Sequence, residues 1–120
     1  MLKLDTISDT PADLDLLPGV RVTARPITVA AMLLARAAAA DVLRNADGDA
    51  DATIAAGEAF TRALARHAIT DWGGVGDKDG APVKPTPERI DQLMDHWPAF
   101  DAFDRLYVGP ALTGFDEKNA

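Results

Sequence analysis

A chain of 120 residues has room for one modest hydrophobic core, which excludes a two-domain enzyme built around an interdomain cleft. Its 19 acidic residues outweigh 12 Lys and Arg to give a formal net charge of -7, the wrong sign for a surface that neutralises phosphates, so no nucleic-acid partner is expected. Cysteine is absent, which removes disulfides, thiol nucleophiles and thiolate metal ligands and suits a reducing compartment such as a bacterial cytoplasm.

The first segment, 1–27, is expected to be extended. Short strands are predicted at Leu2–Leu4 and Val20–Ala24, joined by a loop rich in Ser, Thr, Pro and Asp. Val20, Val22 and Ala24 alternate with Arg21 and Thr23, the period of a strand with one solvated face. Pro18-Gly19 marks the preceding turn, and Pro26 stops the strand from running on. The aspartates of this segment argue against a secretory leader. The longest apolar run, VAAMLLA at 29–35, is far shorter than a bilayer span, so no membrane partner is expected.

Residues 28–68 read as a helical pair. Thr28 is the predicted N-cap of a helix to about Leu43, with Val29, Leu33, Ala37 and Ala40 as its apolar stripe and Met32 and Leu43 widening it. The second helix is predicted from about Ala52 to Ala68, with Ile54, Gly57, Thr61, Leu64 and Ala68 on one strip and Phe60 and His67 beside it. A glycine in mid-helix costs nearly ~1 kcal/mol relative to alanine, so Gly57 is expected to serve close helix–helix contact. Alanine and glycine should form most of the interface, with Met32, Leu33, Phe60 and Leu64 as its bulky components.

Residues 69–85 form an elbow, ITDWGGVGDKDGAPVKP. Its glycines do not make a nucleotide cradle, because no lysine with an adjoining Ser or Thr follows at phosphate-loop spacing. Asp77-Lys78-Asp79-Gly80 is like a fragment of a calcium loop, but counting back from the glycine places Val75 at the first ligand position. A structural role is the better reading. Val75 and Val83 face each other across a turn at Asp77–Gly80, and Trp72 anchors it. Trp72, Gly74, Val75, Asp77, Asp79, Gly80 and Pro82 are thus read as a structural elbow, with a hairpin-like loop at 72–83.

In 86–112, Thr86 is a predicted N-cap, Pro87 the first helical residue and Glu88 an acid facing the positive helix end. Ile90, Leu93, Met94 and Trp97 supply the apolar face. Pro98 interrupts or restarts the helix, which is then expected to fade by Gly109-Pro110, leaving a polar tail at 113–120. Trp97, Phe100, Phe103 and Tyr107 recur at spacings of three and four and form either a partner-binding surface or the core itself.

No catalytic constellation stands out. His67 and His96 are far apart in the chain, the single serine, Ser8, lies in a loop, and the i,i+4 pairs Arg62/Arg66 and Asp91/Asp95 read as solvated faces. No cofactor, metal site or catalytic residue is expected.

The run HAITDWGGVGDKDGAPVKPTPERIDQLMDHWPAFDAFDRLY, 67–107, resembles the middle of the small tail assembly chaperones encoded by long-tailed phages, prophages and related gene transfer particles. The matching positions are Ile69, Trp72, Gly74 and Val75; then Asp77, Asp79, Gly80 and Pro82; then Thr86, Pro87, Glu88, Ile90 and Leu93; and, in the tail, Glu117, Lys118 and Asn119. The resemblance implies a non-enzymatic protein of the host cytoplasm that binds the tape-measure protein, keeps its apolar helices soluble and helps tail-tube subunits assemble around it. The alternative is a structural head–tail connector that stays in the particle. Either way the expectation is one mainly α domain of three to four helices with a short N-terminal β element. Its oligomeric state is left open.

Overall fold

The computed structural model describes residues 1, 3–4 and 10–113. Pairing begins at β1, Ala12–Leu17, inside the stretch expected to be a loop. Of the strand expected at Leu2–Leu4, Leu2 lies outside the described residues and Lys3 and Leu4 are not in a strand. The period of two was present at 13–16 all along: Leu14 and Leu16 alternate with Asp13 and Asp15, and Leu16 is buried. Pro18-Gly19 closes the hairpin with Gly19 at φ +81, the left-handed position that a Pro-Gly turn assigns to glycine. β2, Val20–Ala24, follows as predicted, with Val22 and Ala24 fully buried and Arg21 exposed.

A third strand, β3, Ile69–Gly73, was not anticipated; those residues were expected to open the elbow. It pairs antiparallel with β2, giving a three-stranded sheet in the order β1-β2-β3. The helix before it needs no glycine stop, because the backbone N–H of Arg25 donates to the carbonyl of Ala68 at 2.9 Å and draws the chain into the sheet.

Four α-helices complete the fold: α1 Val29–Arg44, α2 Ala52–Ala68, α3 Pro87–Met94 and α4 Trp97–Phe103. Thr28 caps α1 as predicted, its Oγ1 accepting from the Ala31 N–H at 3.1 Å. The face that α1 buries is the opposite of the expected one. Ala31 and Ala35 are inside, whereas Val29 and Leu33 are 78% and 56% exposed. Val29 and Ala31 lie roughly half a turn apart around the helix, and an alanine face lets α1 approach α2 more closely than a Val/Leu face does. Leu33 is accordingly not an interface residue. Gly57 is not one either: a Cβ built on it meets nothing within 4 Å.

α4 does not fade at Gly109-Pro110. It widens into a π segment, Asp104–Val108, in which the Gly109 N–H reaches back to the Asp104 carbonyl, and helical structure resumes over 109–113. The tail match at Glu117, Lys118 and Asn119 falls outside the described residues. The core lies where the sheet meets the helices, with Val22, Leu64, Met94 and Phe103 as its largest fully buried side chains. The extents of 50 × 42 × 21 Å describe a flat molecule about two element layers thick. Among the described residues, no helix is long and apolar enough to cross a membrane.

Candidate functional site

At the elbow the chemistry is absorbed by the backbone. The Asp77 carboxylate accepts from the N–H groups of Asp79 and Ala81 at 2.9 and 3.0 Å, and the Gly80 N–H donates to the Asp77 carbonyl. Val83 N–H donates to the Val75 carbonyl, and Gly76 bridges to Pro82, so the loop at 72–83 is hairpin-like. The half-buried Trp72 donates its indole N–H to the Val83 carbonyl at 2.7 Å, tying the turn back to β3. Gly74, at φ +83, abuts the β1–β2 turn; a Cβ there would overlap the Gly19 carbonyl, with Val20 Cα at 3.3 Å. Asp79 is exposed.

The helix after the elbow starts as its sequence predicts. Thr86 Oγ1 accepts from the Arg89 N–H at 3.2 Å, with Pro87 opening the helix and Glu88 in its first turn. Its polar face is held to α2. Arg62 donates to Glu58 at 2.8 Å, to the Asp91 carbonyl at 3.0 Å and to Asp95 at 2.6 Å, and Arg66 donates to Asp91 at 2.7 Å. The two i,i+4 pairs read as solvated faces therefore meet each other. Burial alone would lower the pKa of Arg62, but its bonds to Asp95 and Glu58 outweigh that and raise it above the ordinary value.

The four aromatic residues divide. Phe103 and Tyr107 are in the core, with ring centroids 5.0 Å apart, and the Tyr107 hydroxyl donates to the Arg25 carbonyl at 2.7 Å. Burial raises the pKa of that phenol, opposed only in part by the charge of Arg25. Trp97 and Phe100 stack at 6.2 Å on the surface, with Phe100 half-buried and Trp97 69% exposed. They flank a groove of about 440 Å³ between α2 and the C-terminal helices. Ile54, Gly57 and Met94 supply the rest of its apolar lining, and Glu58, Arg62, Asp95 and Asp104 its charge. Asp104 accepts a bond from the buried Thr61 hydroxyl at 3.2 Å. Ile54, Gly57 and Met94 were not among the residues singled out for binding. The available signal was Ile54 and Gly57, three apart on one helix face, with the glycine where helix propensity disfavours it.

The remaining polar candidates do not converge. His67 lines a hollow with Leu34 and Pro87, whereas His96 lines another beneath the elbow turn, beside Asp77 and Lys78. Among the described residues, no group of three His, Asp or Glu side chains is arranged to hold a metal ion.

In comparisons with known proteins, the model of a family described as YdaY prophage protein matches residues 26–106, a span holding α1, α2, β3, the elbow, α3, α4 and the whole groove lining. No curated protein and no solved structure matches the chain.

Proposed function

The chain belongs to the YdaY prophage protein family, and from that premise we propose that it is a non-enzymatic tail assembly chaperone that binds the tape-measure protein in the host cytoplasm. The observation that carries this reading is Trp97, which stands 69% exposed and stacked on Phe100 at the edge of an apolar groove. Leaving a large aromatic in water is unfavourable, and such a residue beside a groove is a typical anchor for a partner. A tape-measure chain presents apolar helical stripes until the tube encloses it, and helix-in-groove docking would cover them during that interval. The tail-tube protein is the second proposed partner.

Co-expression of the tagged chain with the tape-measure product from the same prophage tests the proposal. The expected result is a soluble complex in which the tape-measure product aggregates when the chain is omitted. If the product is equally soluble without it and does not co-purify, the reading fails.

A second reading, a connector retained in the particle, is favoured by the outer face of α1. There Val29, Leu33 and Leu34 are 78%, 56% and 57% exposed, a face suited to a permanent interface. Particle composition separates the two: a chaperone is absent from finished tails, a connector present in fixed number.

A further inference from the structure

Gly57 sits within α2, where glycine is the least favourable residue after proline, and nothing inside the molecule accounts for it. Its φ is not in the left-handed region, and a Cβ added to it would enter open space. Gly74 is the contrast, since there the neighbouring turn leaves no room. Because Gly57 has no side chain, the α2 backbone is bare at the floor of the Trp97 groove, and the same glycine lines a second, apolar hollow beside Phe60 and Met32. A bare stretch of helix backbone is the surface another helix approaches most closely.

Charge restricts what could lie there. The groove carries three carboxylates, Glu58, Asp95 and Asp104, against the one guanidinium of Arg62, which is already bonded to Glu58 and Asp95. The surplus is negative, and it sits beside apolar Ile54, itself 74% exposed, and Trp97. A second copy of a chain with net charge -7 is poorly matched to this rim. An apolar helix flanked by lysine or arginine is well matched.

We propose that α2 at Gly57 is the seat of a basic amphipathic helix, which crosses the bare backbone there, rests its apolar face on Ile54 and Trp97, and sets its cations against Glu58, Asp95 and Asp104. This specifies the kind of segment bound and rests on the partner-binding reading above. It assigns Gly57 to the complex, which predicts that substitutions there act in opposite directions on folding and on binding.

The test uses the full chain as wild type, Gly57→Ala and Gly57→Leu. The probe is an 18-residue synthetic helix with a leucine/alanine face and lysine flanks, alongside a counterpart with glutamate in place of lysine. Calorimetry should show the lysine peptide binding wild type, with affinity falling as salt rises, and the glutamate peptide at least ~10-fold weaker. Gly57→Ala should weaken the lysine peptide several-fold and Gly57→Leu by ~10-fold or more, while Gly57→Ala raises the melting temperature by about 3–6 °C. Equal affinity in all three proteins, equal affinity for the two peptides, or a lowered melting temperature in Gly57→Ala would each overturn the proposal. So would a dimer of the wild-type chain in sedimentation that Gly57→Leu dissolves, since the occupant would then be a second copy.

The tape-measure product is assayed in parallel. Its capture undiminished by Gly57→Leu removes the seat and leaves the chaperone reading intact. Gly57-dependent binding of the lysine peptide, with no capture of the tape-measure product, keeps the seat and removes that identity for the partner.

Discussion

At the elbow, Trp72 is half-buried with its indole N–H bonded to Val83, and Gly74 abuts the backbone of Gly19. At the groove, Trp97 is 69% exposed and the space around Gly57 is open. Each region pairs a tryptophan with a glycine, the two residue types that cost most to place without a reason. In the first region the fold supplies both reasons; in the second it supplies neither. Residues that a fold explains are poor guides to function, and this is why the elbow, the most distinctive stretch of the sequence, is structural.

The sharpest way to break this contrast is Gly74→Ala. The substitution combines a left-handed backbone with overlap against a neighbouring carbonyl that cannot move without opening the β1–β2 turn. A loss of about 4 kcal/mol or more is expected in urea unfolding. A loss below about 1 kcal/mol would mean that the approach of Gly74 to Gly19 does not constrain the fold.

Trp72→Ala comes next. It removes a half-buried aromatic and the bond that ties the turn to β3, for an expected loss of about 2–3 kcal/mol by the same measurement. Trp72→Phe, which keeps the ring and loses the N–H, should recover much of that loss.

Trp97→Ala should have the smallest effect on stability, under about 1 kcal/mol, because only its contact with Phe100 is lost. Its effect should appear in binding to the tape-measure product instead. A Trp97 variant as unstable as the Trp72 variant would erase the distinction between the two regions.

Much of this fold was legible in the sequence, and the failures have physical causes. The caps at Thr28 and Thr86, strand β2 and the turn at 77–80 were readable because each depends on a few consecutive residues. β1 was obscured by its own aspartates, although Leu14 and Leu16 carry the alternation. The aromatic row misled for a geometric reason. A step of three residues covers 300° of a helix, so two such steps place Phe103 roughly 120° around from Trp97. One end of the row then faces the groove and the other faces the core. The Arg62/Arg66 and Asp91/Asp95 pairs had equal spacing and opposite sign, and that match was the signal that they face each other.

Taken alone, the sequence determined what local chemistry can determine: helices with their caps, a strand beside a Pro-Gly turn, a hairpin-like elbow, and an acidic chain without cysteine. Tertiary structure decided which alanine face of α1 is buried, that 69–73 joins the sheet, and which two of four aromatic residues remain on the surface. Those choices depend on what lies opposite each element. Alanine-rich helices look alike on every side until a neighbour approaches one of them, so the groove at Gly57 became visible only when the elements were assembled.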